Sequence, residues 1–400
     1  MRRCVLLLIA ILSSALPAWP ARAAIQTRHV LVVVIDGGRY SETLGEPGTP
    51  HHPHMAGELS LIGARPAGMF NLGPTITVPG MSGILTGAIQ DIRNDGTERP
   101  HTPTVGEVLR KQRGVPDSLV RIVARKPKLE VVGHSDHPQY GAAYGAAIRA
   151  GFNSDLETYV AGRQELLQYK PTFMLIHFGD TDYEGHANDW PGYLESITRA
   201  DSLIWQLWLA VESDPELAGR TTMFVTNDHG RHDTLHGGFQ NHGDGCPGCR
   251  RIELMVVGPD SKAGYMSPAS FDQRGVAMTA AHLLGVTIPT ATGEPMDDIL
   301  LEITRPLDVP GGGRAAPALA LAPNPTQGPV RIRVDAAHAG DAQVEVLDTT
   351  GRRIARAVRA GNEFMWDGRD ASGRTVAPGA YHVRVRAHGQ QTIAPLVVIH

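Results

Sequence analysis

The feature that most constrains this chain is an uninterrupted apolar, β-branched run, VLVVVI at residues 30–35, stopped by Asp36-Gly37-Gly38. A strand with no polar alternation is buried on both faces, as in sheets covered by helices on either side. Similar runs occur at 173–176, ending in His177-Phe178-Gly179-Asp180, and at 222–226, ending in Asn227-Asp228-His229-Gly230. A fourth, at 254–257, ends in Gly258-Pro259. Between them, Tyr193, Ile197, Ala200, Ile204, Leu207, Trp208 and Val211 recur on one face at helical spacing. Strands alternating with helices predict an α/β fold with a mainly parallel sheet flanked by helices. Such sheets place ligands at the carboxyl ends of their strands.

Those strand ends carry the chemistry. Asp36 follows the first run; Asp182 and His186 sit four apart in DTDYEGH; Asp228 and His229 are adjacent after the third run; His242 precedes the fourth. Aspartate and histidine without cysteine suit a borderline divalent ion such as zinc. Six such ligands are enough for two ions with open positions for substrate and water. Any one pair has an ordinary reading as a turn or a cap; the ordered set does not.

The segment PTITVPGMSGILTG, residues 74–87, supplies a nucleophile. Pro79 fits the first turn of a helix. Thr77, two residues earlier, then lies at a helix N-terminus, where the dipole and free N–H groups favour an anion. Its hydroxyl could be only a cap, but beside metal ligands it can attack phosphorus. Thr75 and Ser82 are rivals within the segment.

The motifs VVVIDGGRY, PTITVPGMSGILTG, DTDYEGHAND, TNDHGRH and NHGDG, in that order over residues 30–301, resemble the alkaline phosphatase superfamily. The resemblance is nearest to its nucleotide pyrophosphatase/phosphodiesterase-like and related branches. It implies that Asp36, Thr77, Asp228 and His229 hold one metal, and that Asp182, His186 and His242 hold the other. It further implies two divalent ions, zinc above all, and a phosphothreonine intermediate. Two departures stand out. The phosphodiesterase branch usually has asparagine after Thr-x-Pro, where this chain has Gly80. Sulfatases need Cys or Ser in a Cys/Ser-x-Pro-x-Arg pattern, which Thr77-Val78-Pro79-Gly80-Met81 lacks. Residues 91–169 leave room only for a small cap, in which Lys126, Lys128 and Arg125, together with Arg39, are candidate phosphate contacts. His51, His52 and His54 read as a polar loop, and His134 and His137 as a cap loop. His232 and His236 rival His242, and Asp180 rivals Asp182.

Arg2 and Arg3, the apolar stretch 5–12 and Ala21-Arg22-Ala23 read as a signal peptide at 1–24, with the mature chain starting near Ala24 or Ile25. The destination would be periplasmic, secreted or cell-surface. Cys246 and Cys249, as Cys-Pro-Gly-Cys, then read as a local disulfide. The catalytic domain is expected over 25–305 and a Pro/Gly/Ala-rich linker over 306–325. Beyond it, short alternating strands at 330–334, 343–347, 353–358, 381–386 and 392–399 predict an all-β sandwich over 326–400. That stretch resembles the Ig-like domain of the flagellar hook capping protein and is a candidate for cell-surface attachment. A net charge of −4 gives no basis for binding nucleic acid, and no segment of the mature chain is apolar enough to span a membrane. The expected activity is hydrolysis of a small phosphate ester. The alternatives are a sulfatase or phosphotransferase on the same metal scaffold, or a non-enzymatic surface protein with a relict site.

Overall fold

A computed structural model describes residues 23–45, 48–301, 303–304, 319–323, 326–334, 340–348, 352–361, 363–387 and 390–398. The segment read as a signal peptide lies outside them except for Ala23 and Ala24, which pair in parallel with Ile303 and Thr304. Much of the segment read as linker is also outside them. The chain divides into two compact units, Met1–Pro306 and Leu307–His400.

The first unit is built on a mixed, mostly parallel sheet. Its strands are β1 (His29–Ile35), β2 (Gly63–Phe70), β3 (Val120–Ala124), β4 (Ala147–Ala150), β5 (Phe173–Phe178), β6 (Thr221–Thr226), β7 (Leu254–Val257) and β8 (Tyr265–Asp272). Their spatial order is β8-β2-β7-β6-β1-β5-β3-β4, and the short strand Arg251–Ile252 adds to β2. β1 lies at the centre between β5 and β6, parallel to both. All but its first residue are buried, as the unbroken apolar run requires. β7 runs antiparallel to both β6 and β2, so this strand departs from the parallel expectation. β2, β3, β4 and β8 were not read from the sequence: Gly, Pro, Ser and Ala dilute the apolar pattern of β2 and β8, Arg121 interrupts β3, and β4 is only four residues long.

Helices cover both faces: α1 (Thr77–Thr86), α2 (Val105–Arg113), α3 (Asp155–Tyr169), α4 (Asp180–His186), α5 (Trp190–Ser213) and α6 (Arg274–Leu284). The residues of β1 divide between the two layers. Val30, Val32 and Val34 pack with Ile84 of α1, Val108 of α2 and Ala280 of α6. Leu31, Val33 and Ile35 pack with Ile204 and Leu207 of α5. The helical stripe from Tyr193 to Val211 is buried as its spacing requires. Among the described residues, no helix is long and apolar enough to cross a membrane.

The second unit has two four-stranded antiparallel sheets. One orders β9 (Leu319–Ala322), β10 (Val330–Val334), β14 (Glu363–Trp366) and β13 (Val358–Ala360); the other orders β12 (Arg353–Arg356), β11 (Gln343–Leu347), β15 (Gly379–Ala387) and β16 (Gln390–Val398). Their inner faces share Val330, Ile332, Val344, Val346, Trp366, Val383, Val385 and Leu396. β9 falls within the stretch read as linker. The run read as one strand at 353–358 breaks at Ala357, and its two parts join different sheets.

Leu207 is fully buried at the α5–sheet contact. Leu207→Ala leaves a cavity there and lowers the stability of the first unit by about 2–5 kcal/mol. Denaturant unfolding followed by far-UV circular dichroism checks this; a loss below about 1 kcal/mol would mean that α5 does not seal this layer.

Candidate active site

Three neighbouring strands deliver acidic groups to one point. Asp36 directly follows β1, and Asp228 stands two residues beyond β6. Asp182 lies in the first turn of α4, which starts two residues beyond β5. All three are buried. Burial and the neighbouring Asp36 raise the pKa of Asp228 well above the carboxylate range. Asp36 goes the other way. Burial opposes its ionisation, but Lys126, His177 and His229 outweigh this and hold its pKa well below the ordinary value. In Asp182, burial and Asp36 push upward, while Lys126 and Arg231 bring the net shift downward.

Lys126 is the hub of this charge. Its Nζ lies 2.6 Å from Asp36 Oδ2 and 2.5 Å from Asp182 Oδ2. It also donates to Thr77 Oγ1 at 3.4 Å. Burial alone would discharge the amine, but the two carboxylates more than compensate and raise its pKa. The other basic candidates are committed elsewhere. Arg125 pairs with Asp180 at 2.9 Å, Arg39 pairs with Glu42, and Lys128 bonds Asn94 Oδ1 at 3.1 Å.

The histidines each turn one ring nitrogen to the carboxylates. His229 Nδ1 meets the Gly230 carbonyl at 2.9 Å, which leaves Nε2 facing Asp36 Oδ1 at 3.4 Å and Asp228 Oδ2 at 3.5 Å. His242 Nδ1 meets the Thr75 carbonyl at 2.9 Å, and its Nε2 faces Asp182 Oδ1 at 3.4 Å. Backbone carbonyls thus fix both tautomers, the arrangement that makes imidazole a metal ligand. Burial lowers the pKa of both rings. His186 Nε2 stands 3.0 Å from His242 Nε2 and 3.4 Å from Asp182 Oδ2.

These residues fit divalent ions. Asp36 Oδ1, Asp228 Oδ2 and His229 Nε2 are buried, converge, and have no hydrogen-bond partner. Leaving them unpaired is costly, and a cation would satisfy all three. A second grouping brings Asp182 and His242 together with His229. His229 therefore faces both groupings, while His186 stands at the edge of the second. Lys126 and Arg231 balance Asp36 and Asp182, and the third carboxyl, Asp228, is held towards its protonated form, which a bound cation would reverse.

Thr77 is the first residue of α1, and its side chain is buried. The preceding Ile76 offers no side-chain cap, and Val78 N–H instead donates to Asn94 Oδ1 at 2.9 Å. Gly80 explains why no asparagine stands there: a Cβ would lie 2.5 Å from the Asp228 carbonyl oxygen. This close approach holds the first turn of α1 against Asp228. Thr75 is set apart, since its hydroxyl accepts from Gly245 N–H at 3.2 Å.

Some sequence candidates fall away. Asp180 pairs with Arg125 and accepts from Asp155 N–H at 3.0 Å. His236 bonds Asp233 at 2.6 Å, and His134 bonds the Ser135 carbonyl at 2.9 Å. His52, read as part of a polar loop, is instead fully buried and sits 3.0 Å from Glu253. Cys246 and Cys249, read as a disulfide, are free thiols, and Cys249 N–H points to Cys246 Sγ at 3.4 Å.

Two site residues escaped the sequence reading. His177, inside β5, bonds Asp36 Oδ2 at 3.0 Å. Arg231 is fully buried; it donates to the Asp182 carboxylate, to the Asp182 carbonyl at 2.7 Å, and to the carbonyls of Phe239 and Gln240 at 3.0 and 2.9 Å. It ties α4 to the loop that carries His242. Gly185 makes room for it, since a Cβ there would lie 2.4 Å from the guanidinium carbon. The one available signal was its place in TNDHGRH, after the paired Asp228 and His229.

A central β-sheet between helices, with this Asp/His cluster at its strand ends, defines an alkaline phosphatase-like fold. Residues 112–242 match the family model of type I phosphodiesterase / nucleotide pyrophosphatase, and residues 323–391 match that of the FlgD Ig-like domain. Among solved structures, the chain is similar to murine ectonucleotide pyrophosphatase / phosphodiesterase 5 in an inactive form bound to AMP. That likeness has a TM-score of 0.52 and 15% identity, over 68% of this chain and 100% of the other. It is also similar to an alkaline phosphatase superfamily protein from Vibrio parahaemolyticus, with a TM-score of 0.50 and 12% identity over 79% of each chain. A 2-O GAG sulfatase gives a TM-score of 0.52 at 11% identity, over 86% of this chain and 85% of the other. At these identities the likeness is one of fold. No curated protein matches the chain in sequence.

Asp155 fixes the start of α4 by accepting from Gly179 N–H at 2.6 Å and from Asp180 N–H at 3.1 Å. Burial, then repulsion from Asp180, raises its pKa to about 7. The native state therefore keeps a proton that the unfolded chain loses near pH 4. This contribution to stability is full below about pH 4 and is lost as the pH rises to about 7. Asp155→Asn should flatten the stability profile over that window, measured by denaturant titration at several pH values. An unchanged slope would mean that Asp155 ionises normally.

Proposed function

We propose that the protein hydrolyses phosphoric esters, with Thr77 as nucleophile and two divalent ions, zinc foremost, held by Asp36, Asp182, His186, Asp228, His229 and His242. The observation that carries this reading is the convergence of three partnerless ligand atoms, from Asp36, Asp228 and His229, on the turn of α1 headed by Thr77. When bound, the ions supply Lewis acidity and positive charge for in-line displacement.

The chain's own groups do the rest. Thr77 Oγ1 attacks phosphorus, the P–O bond to the leaving alcohol breaks, and a phosphothreonine forms. Water then attacks the same phosphorus, releasing phosphate or a monoester and restoring the hydroxyl. The first turn of α1 faces the anionic group with N–H donors. Lys126, kept charged by its two carboxylates, holds a cation next to the attacking oxygen. The murine structure bound to AMP favours a nucleotide-sized ester. A sulfatase reading has support in fold alone, since Thr77 stands where that chemistry needs Cys or Ser.

Turnover should appear with p-nitrophenyl phosphate or bis-p-nitrophenyl phosphate, vanish with chelator and return with zinc, while p-nitrophenyl sulfate stays inert. Thr77→Ala should lower kcat by about a thousand-fold or more, because it removes the attacking atom. Thr77→Ser should keep much of the rate. Acid quench followed by peptide mapping should find phosphate on Thr77; phosphate on Thr75, or near-normal turnover of Thr77→Ala, would sink the assignment.

The same reading places the protein outside the cytoplasm, with residues 1–24 removed on export and the C-terminal sandwich serving attachment. Motivation comes from Arg2, Arg3, the apolar 5–12 stretch and Ala21-Arg22-Ala23. N-terminal sequencing of the protein from fractionated cells should begin near Ala24 or Ile25. A cytosolic protein that retains the leader would contradict export.

A further inference from the structure

A second cluster of metal-ligating groups lies outside the catalytic constellation. It comprises His232, Asp244, Cys246 and Cys249, each offering one atom, all within 4.8 Å of one another. His232 Nε2 stands 3.1 Å from Asp244 Oδ1, and Cys249 Sγ stands 3.5 Å from the same oxygen. In a tetrahedral zinc site, bonds of about 2.3 Å to sulfur and 2.0–2.1 Å to nitrogen or oxygen put N···O edges near 3.3 Å and S···O edges near 3.6 Å. The two distances lie near this spacing, the second of them as a hydrogen bond from Cys249 S–H to the Asp244 carboxylate.

The surroundings support the same reading. His232 Nε2 is buried and makes no hydrogen bond. The turn Pro247–Arg250 is capped by the Cys246 sulfur, which accepts from Cys249 N–H, a backbone contact suited to a thiolate. Gly248 lets this turn lie against the backbone next to His232, since a Cβ would come within 2.5 Å of the Arg231 carbonyl oxygen and 2.8 Å of Asp233 N. Gly230 is equally constrained, since a Cβ there would lie 2.1 Å from the Gly248 carbonyl oxygen. The nearby His236 is not a ligand, because it is exposed and bonded to Asp233.

We infer that His232, Asp244, Cys246 and Cys249 form a structural zinc site separate from the catalytic cluster. Binding releases the two thiol protons to solvent and leaves two thiolates, one carboxylate and one neutral imidazole around Zn²⁺. A disulfide between the cysteines would instead leave His232 facing Asp244 alone, while the Asp244 carboxylate keeps its bond from Cys246 N–H at 2.9 Å.

The site closes the loop between His232 and Cys246. Apart from one short turn at Thr234–His236, that loop has no regular structure, and Gly237, Gly238, Gly243 and Gly245 adopt positive φ within it. Such a segment has little intrinsic rigidity, so a clip at its ends restricts it. It carries His242. The consequence for catalysis rests on the role proposed for His242; the metal site itself does not.

The test uses the full chain purified without reductant. Alkylation of the native protein, with mapping of the peptide that contains Cys246 and Cys249, should label both thiols only after a chelator is added. Cobalt-loaded protein should show thiolate-to-metal charge-transfer absorption, which C246S/C249S should lack. Thiols that stay blocked with chelator and appear only on reduction would reveal a disulfide and overturn the proposal. Thiols labelled freely before chelation, with no charge-transfer band, would overturn it as well. Neither readout depends on turnover, so an inactive enzyme leaves this test intact.

Discussion

Three carboxylates, Asp36, Asp182 and Asp228, are buried together at the ends of adjacent strands, and their mutual repulsion must be neutralised for the first unit to close over them. Charges removed from water persist only when paired. Lys126 and Arg231 provide part of the compensation from within the chain. Asp228 shows the remainder, since its carboxyl is driven towards the protonated form. An environment that penalises a carboxylate in this way rewards a divalent cation. The same unfavourable electrostatics that burden the fold are what a bound divalent cation would relieve.

The arrangement depends on rigid elements meeting at close range. β1 is the central strand and is sealed on both faces, so Asp36 has little freedom. α1 approaches Asp228 closely enough that residue 80 has no room for a side chain. Arg231 ties α4 to the loop bearing His242, and Gly185 makes room for it. Glycine at these positions serves close approach rather than flexibility. The loop 232–246 lacks that rigidity in its own backbone, which gives a cross-link at its ends a physical purpose.

Much of this was legible in the chain. The run at 30–35 could only be a doubly buried strand, because water tolerates no such surface on either face. Strand ends that finish in Asp or His marked residues that the fold gathers into one buried cluster, since period and polarity change together there. The start of α1 at Thr77 and the stripe of α5 followed from local rules, Pro79 near a helix start and apolar residues at helical spacing.

Other features depended on contacts between distant segments, which no local pattern encodes. Nothing near Lys126 shows that its amine will meet Asp36, Asp182 and Thr77, because strand order brings the end of β3 beside β5 and so near β1. His177 stood at a strand end with no role assigned, and its bond to Asp36 follows only from the register of β1 and β5. The direction of β7 was equally hidden, since a fully buried strand reads the same in either orientation. The cysteine pair alone suggested a local disulfide; only folding brought His232 and Asp244 to its side. The sequence by itself determined which residues could carry chemistry, because burial and periodicity are local. The tertiary structure decided which of them meet in one cluster or share a charge, because that depends on distances across the sheet.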